Sequence, residues 1–583
     1  MLIYILHKTD LFKDKLIDFK GRIYQQNKTV YVFEKELCTE SFYQNNEISL
    51  LSNITINSAQ EEIQQRTIKL YKQYNKKMPL YLSQDFSFIL TDEKKQYIFG
   101  ARDKMGVIPF YYYDDQNIFI YSTHIAPIKK ILGLKELNKQ WVAKTLLSFI
   151  DGKEDTSIKG IKKLPPAHIL ELKSGKLTIE KYWDFQEELS SVGENTVMRE
   201  DDFKNTLVQS VKSRMFLNAG FELSGGLDSS GIAAIASSFK QEDLYAYSHF
   251  MPDAFLKKVR PFQDERYYSS LLSKEKNFIH RKISAENRGI LDEIRTNLNF
   301  LAAPIYNMLF IFSDNLLEVA HKDKVKILFS GFGGDEGVSS PAYFLQKKYA
   351  RNLQWYNLSK LMNKAFYKPS LWKQIYHLLQ DKNELKRIRI AKGNTHFLKE
   401  DFLQDTKVLQ TLWAKEDILE SKDFNNFIIK KLSQDYISER LESSFLIASQ
   451  KNIRYVYPLL DIDLIKKYLQ TPYLSRYQKG MDRYTYRNAI KSFVSEEIYR
   501  RNDKASTTVP NVLVRFLNDE KRIFEFLEDV KYKKGSEFID VPLLINKFYS
   551  LKQYAIQRQY KVDFNISSLF SSLMILLYLN ESE

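Results

Sequence analysis

The run Ser224-Gly225-Gly226-Leu227-Asp228-Ser229-Ser230 constrains the fold of this chain more than any other segment. An extended apolar stretch precedes it (Phe221 to Leu223), and a stretch typical of a helix follows it (Gly231 to Phe239). This order predicts a strand, a glycine turn and a helix N-terminus, a layout that binds phosphate through backbone N–H groups. No Lys-Ser or Lys-Thr follows the glycines, so the turn is not a Walker loop. The alternative is a Ser/Gly-rich turn without a ligand.

The side chains of this run support the phosphate prediction. Ser224, Ser229 and Ser230 supply hydroxyl donors, and the dipole of the following helix favours an anion. Asp228 alone would be a poor phosphate ligand, but with a divalent cation its carboxylate becomes a bridge to phosphate oxygens. We therefore expect a nucleotide site here, with Leu227 inside the same loop.

The patterns of strands and helices divide the chain in two. A length of 583 residues is too great for one compact core. Residues 1–184 are predicted to form a β-rich domain, residues 185–200 a polar linker, and residues 201–583 a second domain with a helical insertion at about 345–435. The alternating runs of the first domain include Gln96 to Ala101, Phe110 to Tyr113 and Ile118 to Ser122.

The second domain alternates strands with helices, as a parallel, doubly wound α/β sheet does. Its strand candidates are Ala219–Leu223, Leu244–Phe250, Phe278–Ser284 and Val325–Phe329. A helical run covers Tyr306 to Ala320, and the chain beyond Ser340 is mostly helical. Ligands of such sheets bind beyond the carboxyl ends of the strands. For that reason Phe250, at the end of the second candidate, is also assigned to the nucleotide site.

A second glycine and aspartate run, Ser330-Gly331-Phe332-Gly333-Gly334-Asp335-Glu336, closes the fourth strand candidate. Its glycines allow close backbone approach, so Ser330, Gly331 and Gly333 are expected to contact the nucleotide. Asp335 offers a second carboxylate for a metal. Because both runs follow strands of one sheet, Asp228 and Asp335 are predicted to hold Mg²⁺ against a triphosphate from two sides.

Composition excludes several other kinds of chemistry. The one cysteine, Cys38, rules out a disulfide framework or a thiolate cluster within the chain, and the eight histidines show no ligand spacing. The most apolar run, Leu569 to Leu579, is too short to span a membrane, and Met1 to Leu6 is too short for a signal peptide. We therefore expect a cytoplasmic protein.

The net charge of +15 would suit nucleic acid, acidic peptides or nucleotides. No nucleic-acid-binding motif accompanies the basic residues, so solvated faces are the preferred interpretation and nucleic acid is not expected as a partner. These residues are spread over segments such as Lys322 to Lys326, Lys382 to Lys392 and Lys531 to Lys534.

With further runs in a fixed order, the chain resembles the glutamine-dependent asparagine synthetases and their relatives, the β-lactam synthetases and lasso-peptide macrocyclases. The resemblance covers nearly the whole length. It implies a glutaminase-like αββα sandwich of the N-terminal-nucleophile type, followed by an ATP-pyrophosphatase domain with a parallel sheet. The further runs are Arg102 to Tyr111, Gly160 to His168, Tyr182 to Asp184, Tyr457 to Asp461, Arg483 to Ala489 and Arg501 to Ser506.

The resemblance also implies a reaction. ATP and a carboxylate would give an acyl-adenylate and pyrophosphate, and an amine would then form an amide and release AMP. Lys504 matches the lysine that stabilises charge on the adenylate and on the amide-forming transition state. The implied catalytic set is Lys504, Asp335 and Glu336. The residues expected to bind the pyrophosphate are Ser224, Gly225, Gly226, Asp228 and Ser229.

The chain departs from the family pattern at positions that handle the amine. The family's glutaminase half needs a cysteine after the initiator methionine, whereas this chain has Leu2, so we expect no glutamine hydrolysis. Asparagine synthetases carry Glu, and β-lactam synthetases Tyr, where this chain has Phe332. Phenylalanine cannot exchange protons, so Glu336 or Lys504 would take the amine proton, unless the amine arrives neutral.

Two further departures lie in the C-terminal half. Arg454 stands where the family has Glu before Pro-Leu-Leu-Asp. About 120 residues separate Asp335 from Pro458, and this segment is rich in aromatics and lysines. It would hold a peptide substrate or serve only for packing. Within it, Thr395 to Phe402 is similar to a segment of lasso-type relatives.

Three hypotheses follow for the function. The leading one is a lasso-type macrocyclase that joins a peptide's N-terminal amine to an adenylated Asp or Glu side chain. Its partners would be a peptide or small carboxylate substrate, a leader peptidase and a precursor-recognition protein. The second is an ammonia-dependent asparagine synthetase or a small-molecule ligase such as a β-lactam synthetase. The third is a non-catalytic protein that binds ATP or nucleic acid.

Overall fold

The computed structural model describes most of the chain. The described residues are 2–7, 22–26, 29–33, 40–45, 47–54, 60–83, 85–149, 154–190, 200–216, 218–239, 244–256, 264–284, 286–306, 313–341, 343–361, 396–410, 421–478, 481–501, 507–558, 562 and 565–581. Several predicted features lie outside them, namely Cys38, Lys382 to Lys392, Thr395, Lys504 and parts of the predicted linker and insertion.

The N-terminal part contains two six-stranded antiparallel sheets. In chain order the strands are β1 (Leu2–His7), β2 (Arg22–Gln26), β3 (Thr29–Phe33), β4 (Glu40–Gln44), β5 (Ile48–Ile54), β6 (Phe86–Asp92), β7 (Tyr97–Arg102), β8 (Tyr111–Asp114), β9 (Ile118–Ser122), β10 (Lys162–Lys163), β11 (His168–Lys173) and β12 (Lys176–Lys181). The first sheet has the order β10-β8-β9-β1-β3-β2, and the second β12-β11-β7-β6-β5-β4.

Helices cover both outer faces of the paired sheets. They are α1 (Gln60–Tyr74), a 3₁₀ turn (Asn75–Tyr81), α2 (Ile125–Leu132) and α3 (Lys139–Leu146). A further helix, α4 (Phe185–Ser190), follows the sandwich and contacts the helix Phe424–Leu432 of the C-terminal part. Apolar side chains of both sheets share one core, which includes Tyr4 of β1 and Ile89 of β6. Leu90, the next residue of β6, points to the opposite face and packs with α1. Ile3 and Ile5 face α2 and α3 instead. This alternation along each strand produces the predicted αββα sandwich.

The C-terminal part is built on a parallel sheet of the order β15-β14-β13-β16-β17. Its strands are β13 (Ala219–Glu222), β14 (Tyr245–His249), β15 (Ile279–Ile283), β16 (Ile327–Phe329) and β17 (Arg454–Val456). The first four agree with the predicted strands to within one or two residues at each end. From β13 the chain builds outward to β15, then returns to the other side of β13 for β16. The two glycine runs therefore follow the strands that flank this reversal, where α/β sheets bind ligands.

Helices surround the parallel sheet and continue to the end of the described chain. They are α5 (Glu200–Lys212), α6 (Leu227–Ser237), α7 (Asp253–Leu256), α8 (Glu265–Glu275), α9 (Leu291–Leu301), α10 (Asp314–Lys322), α11 (Tyr343–Arg351), α12 (Trp355–Leu361), α13 (Glu400–Thr406), α14 (Phe424–Leu432), α15 (Asp435–Ser449), α16 (Ile462–Gln470), α17 (Tyr484–Ile490), α18 (Glu496–Arg500), α19 (Thr508–Asp529), α20 (Val541–Ile556) and α21 (Ile566–Glu581), with 3₁₀ turns at Pro458–Leu460 and Tyr473–Arg476.

Two helix predictions need correction. The helix predicted over 306–320 is present as α10 from Asp314, whereas Tyr306 lies in a bend outside it, and residues 307–312 lie outside the described residues. The helix predicted from Gly231 begins four residues earlier, at Leu227. No helix in the described part of the chain is long and apolar enough to cross a membrane.

A buried ionic cluster joins the sandwich to the C-terminal part. Arg102 donates to Glu442 Oε2 at 2.8 Å, and the Tyr111 hydroxyl donates to Glu442 Oε1 at 2.6 Å. Lys163 pairs with Glu439 and lies 3.6 Å from Glu442 Oε1. All five side chains are buried. The Arg102 run quoted above for the family resemblance thus contributes to the junction between the two halves.

Candidate nucleotide and metal site

The turn after β13 leads directly into α6. Gly225 has φ +64°, and a Cβ there would lie 2.8 Å from the backbone N of Ser269, so only glycine fits. Gly226 is the N-cap of α6 and has no side chain to cap it. The run therefore divides into a turn (Ser224 to Gly226) and a first helical turn (Leu227 to Ser230), whose N–H groups are oriented as in anion sites.

The hydroxyl groups of this loop are linked to one another. Ser224 Oγ and Ser229 Oγ lie 3.1 Å apart, and Ser224 Oγ accepts the Gly226 N–H at 3.3 Å. Ser230 is fully buried, and its hydroxyl has no hydrogen-bond partner among the described residues. Leu227 is also buried. Ser224 and Ser229 are therefore the better placed of the predicted serines to meet a ligand.

The loop after β16 packs directly on the first loop. A Cβ on Gly331 would lie 2.8 Å from the backbone N of Ser229, and one on Gly334 would lie 2.4 Å from Asp228 Cγ. Any larger side chain at these two positions would push the loops apart. The predicted juxtaposition of the two glycine runs is thus present in the structure.

Asp228 has a carboxylate in a poorly solvated, crowded position. Ser339 Oγ donates to its Oδ1, and Arg483 Nη1 lies 3.7 Å from its Oδ2. Burial, followed by the nearby charge of Asp335, raises the pKa of Asp228 to about 7, although Arg483 opposes the shift. A group whose charge is this poorly compensated fits a divalent cation.

Asp335 is held at the mouth of the same site. Arg483 Nη1 lies 2.6 Å from its Oδ1, so one guanidinium contacts both aspartates. Lys431 Nζ donates to the Asp335 carbonyl at 2.6 Å, and Glu336 Oε2 accepts the Gly333 N–H at 3.1 Å. No group of three metal-ligating side chains occurs among the described residues. Two carboxylates would suit Mg²⁺, which completes its shell with water and phosphate oxygens.

The wall beside Asp335 is aromatic and cationic. Phe332 meets Tyr457 edge-on, with ring centroids 6.1 Å apart. The Arg440 guanidinium lies 4.4 Å from the centre of the Phe332 ring. Arg440 is exposed and Tyr436 is half-buried one helical turn before it on α15. The Phe332 position therefore carries no proton-transferring atom, as predicted.

The remaining predicted residues are distributed around the loops. Phe250 follows β14 and is buried, with the Arg266 guanidinium 5.2 Å from its ring centre. Ser330 is buried and donates its N–H to the Val456 carbonyl at 3.1 Å, and Gly333, at φ +95°, packs on Leu460. The role of Lys504 stays a prediction, because it lies outside the described residues.

Three residues around Asp228 were missed by sequence reasoning. Arg483 contacts both aspartates, Ser339 donates to Asp228, and the Tyr486 hydroxyl donates to the Asp228 carbonyl at 3.2 Å. Arg483 and Tyr486 belong to a run that carried the family resemblance, which was the available signal. Ser339 lies only three residues after Glu336, but nothing in its surroundings distinguishes it.

Replacing Gly331 with alanine tests the contact between the two loops. The new Cβ would meet the Ser229 amide, so we expect G331A to reduce ATP-dependent pyrophosphate release by roughly a hundredfold, the loss seen when a stabilising donor is misplaced. G337A is the matched control, because its Cβ would meet mainly the flexible Leu432 side chain and the Gly333 carbonyl at 3.2 Å. Equal rates for the two variants would contradict the tight loop contact.

The fold and the site define a class of protein. An antiparallel αββα sandwich is joined to a parallel-sheet domain whose strand reversal carries two glycine and aspartate loops. This is the organisation of a glutamine amidotransferase-like domain fused to an α/β domain with a parallel sheet.

The chain belongs to the asparagine synthase family. The profile of the family described as Asparagine synthase matches residues 202–553, more than half of the chain. The profile described as Glutamine amidotransferase domain matches residues 62–183. The predicted family and fold class are therefore confirmed.

Individual relatives match over shorter lengths. Glutamine-hydrolyzing asparagine synthetase 3 of Bacillus subtilis is 35% identical over 29% of this chain and 28% of its own length. Amidase chry2 of Gibberella zeae is 29% identical over 29% of this chain and 26% of its own length. Glutamine-hydrolyzing asparagine synthetase 2 of Bacillus subtilis is 23% identical over 48% of this chain and 39% of its own length. The chain thus matches less than half the length of each of these relatives.

Proposed function

We propose that this protein forms an amide bond at the expense of ATP. A carboxylate oxygen of the substrate attacks the α-phosphorus of ATP, and the bond from this phosphorus to the oxygen that bridges it to the β-phosphorus breaks. Pyrophosphate departs, and the product of this step is an acyl-adenylate. An amine then attacks the acyl carbon, loses a proton and expels AMP. Membership of the asparagine synthase family and the names of two of the relatives support this reaction type.

One observation carries the proposal. Asp228 and Asp335 come from loops about a hundred residues apart, yet one guanidinium, that of Arg483, contacts both carboxylates. They meet at the reversal of the parallel sheet, beside the uncapped start of α6. An anion-binding helix end next to two carboxylates suits a magnesium-bound polyphosphate better than a metal or a phosphate alone.

We propose separate roles for the residues of the site, namely binding of phosphate, of Mg²⁺ and of the adenylate. The N–H groups of the first turn of α6, with Ser224 and Ser229, would bind the pyrophosphate portion of ATP. Asp228 and Asp335 would hold Mg²⁺, which neutralises charge on the phosphate oxygens. Lys504 remains the proposed stabiliser of the adenylate.

The attacking amine must lose a proton, and the residue at position 332 cannot accept it. Phe332 accepts no proton. Burial raises the pKa of Tyr457, whose ring meets that of Phe332, and of Tyr436 on α15, which makes the ionisation of both tyrosines harder. Glu336 lies in the same loop, and one of its carboxylate oxygens accepts the Gly333 N–H. We propose that Glu336 or Lys504 accepts the proton that the amine loses.

We further propose that the substrate is a ribosomal peptide and the product a macrolactam of the lasso type. The aliphatic Leu2, the long segment between Asp335 and Pro458, and the +15 charge support a peptide substrate and an amine carried by the substrate. A leader peptidase and a precursor-recognition protein would be the partners. Incubation with ATP, Mg²⁺ and the precursor peptide encoded nearby should give a product lighter by one water. An unchanged peptide, with ATP consumed on a small amino acid, would contradict this.

The second candidate is an ammonia-dependent asparagine synthetase or a small-molecule ligase. The names of the asparagine synthetase relatives favour it. Pyrophosphate release that requires aspartate, with asparagine formed from free ammonium, would establish this candidate over the macrocyclase.

We predict that the protein releases no ammonia from glutamine. Leu2 is fully buried, and its side chain packs in the core between the two sheets, where it offers no nucleophile. Ammonia should therefore stay at the background rate when glutamine and ATP are both present, measured by a coupled dehydrogenase assay. Ammonia release that rises with ATP turnover would show that the prediction is wrong.

A further inference from the structure

A groove of about 730 Å³ crosses the junction between the sandwich and the C-terminal part. This junction groove lies where α2 and α3 meet α13, the loop after α19 and the end of α21. Its volume is in the range of ligand pockets, roughly 300–1,000 Å³. Its lining residues are Lys129, Lys135, Glu136, Leu137, Lys139 and Val142 from the sandwich, and Phe402, Lys534, Glu537, Phe538, Tyr578, Leu579, Asn580 and Glu581 from the C-terminal part.

The walls of the junction groove are tied together by hydrogen bonds. Asn580 Nδ2 donates to the Lys534 carbonyl at 2.9 Å, and the Lys399 N–H donates to the Phe538 carbonyl at 2.9 Å. Across the junction, Gln140 Nε2 donates to the Thr406 carbonyl at 2.7 Å. The groove is therefore preformed, which lowers the entropy cost of binding.

The floor of the groove is apolar. The Phe402 and Phe538 rings pack with their centroids 5.1 Å apart, and Leu137, Val142 and Tyr578 lie beside them. Two segments that were singled out in the sequence, and that have no role in the proposed ATP site, meet at this groove. One is the end of the run Thr395 to Phe402, and the other is the basic run Lys531 to Lys534.

The acidic side chains of the groove already form salt bridges or hydrogen bonds within the protein. Glu136 pairs with Lys159 at 2.8 Å, and Glu581 pairs with Arg295 at 2.7 Å. Glu537 Oε2 accepts the Gly535 N–H at 2.6 Å. Their negative charges are therefore compensated by groups outside the groove or by the backbone.

The lysines of the groove are not compensated in the same way. Within the part of the chain that the structure describes, Lys135, Lys139 and Lys534 are exposed and form no salt bridge. Lys129 donates to the Ala302 carbonyl at 2.9 Å and lies 4.7 Å from the centre of the Tyr578 ring. Burial, and then the charge of Lys135, lowers the pKa of Lys129.

We propose that the junction groove binds an acidic peptide segment that also carries apolar side chains. Carboxylates of the peptide would pair with Lys135, Lys139 and Lys534, while apolar side chains would contact Phe402 and Phe538. A preformed apolar floor with a lysine rim suits such a peptide better than nucleic acid, which offers a continuous phosphate backbone and demands a longer basic track. The binding is independent of the proposed amide-forming activity.

Fluorescence anisotropy of the full-length protein tests this inference. The probe is a fluorescein-labelled peptide of alternating glutamate and phenylalanine. We expect saturable binding that weakens by about tenfold or more in the variant K135E/K139E/K534E, because rim charges steer and hold the peptide. At about 1 M salt, where the screening length is roughly 3 Å, wild-type binding should also be largely lost.

The control variant is K69E/K173E/K176E, which makes the same charge change on exposed lysines of α1 and the β11–β12 hairpin. These positions belong to the other sheet and its covering helix, so binding should stay within about twofold of wild type. The inference is overturned by an absence of saturable binding, by equal losses in both triple variants, or by an oligothymidine probe that binds more tightly than the peptide.

Discussion

Replacing Asp228 with asparagine is expected to slow the proposed pyrophosphate release strongly and, at the same time, to make the ligand-free protein more resistant to heat. Asparagine keeps the shape of the side chain but removes the charge that a divalent cation needs. We expect a loss of roughly 10²–10³-fold in ATP-dependent pyrophosphate release, the usual cost of losing one preorganised electrostatic contact. A coupled pyrophosphate assay measures it.

The gain in stability follows from the environment of Asp228. Its side chain is 16% exposed, and burial and Asp335 raise its pKa to about 7, well above the value of about 3.9 in an unfolded chain. The unfolded chain therefore ionises first as pH rises, and the folded state loses stability between about pH 4 and 7. The penalty, on the order of a few kcal/mol, is complete above about pH 7 and absent below about pH 4.

D228N should remove this pH-dependent penalty. The melting midpoint of the variant is expected to exceed that of wild type by roughly 3–5 °C at pH 8, and by little at pH 4. D529N is the matched control, because Asp529 is exposed and pairs with Lys533 one turn away. A D228N protein that melts below wild type at pH 8 would show that the Asp228 charge stabilises the empty fold.

Replacing Glu442 with alanine is expected to give the largest loss of stability. Glu442 accepts from Arg102 and Tyr111 and lies 3.6 Å from Lys163, all of them buried. Without it, the buried cations would be left with Glu439 as their acidic partner in the cluster. Breaking a buried pair from one side costs about 3–5 kcal/mol of unfolding free energy, so we expect the melting midpoint to fall by roughly 3–6 °C.

The position of this cluster makes the result informative about the two halves. Arg102, Tyr111 and Lys163 belong to the sandwich, and Glu439 and Glu442 belong to α15. Limited proteolysis of E442A should therefore cut between the halves sooner than in wild type. E136A is the control, since the Glu136–Lys159 pair is 64% exposed on both sides and contributes about 0–1 kcal/mol. Similar midpoints for E442A and E136A would mean that the cluster contributes little.

The strands around the site were predictable because each has its own local signal. β13 and β16 are short extended runs that each lead into a glycine turn, so their existence and parallel pairing followed from the pattern alone. β17 had no such signal. It has three residues, begins with Arg454 and is a strand only because it pairs with β16. The start of α6 was placed four residues late, because the glycine that caps it resembles a continuing turn.

The residues of the candidate site were likewise predictable only where they carry a local sequence signal. Asp228 and Asp335 were assigned from their motifs, because a carboxylate beside a glycine turn has a recognisable local chemistry. The Lys431 and Arg440 side chains were not assigned, since they come from α14 and α15 and reach the loops only in the folded chain.

By itself, the sequence determined the order of strands and turns, the carboxylates available for a metal and the absence of a proton-transferring group at Phe332. These properties depend on residues within a few positions of one another. Only the tertiary structure decided that Arg483 contacts both aspartates, that Asp228 ionises reluctantly, and that uncompensated lysines surround an apolar groove at the junction. Each of these depends on desolvation and on charges brought together from distant parts of the chain, which local pattern does not encode.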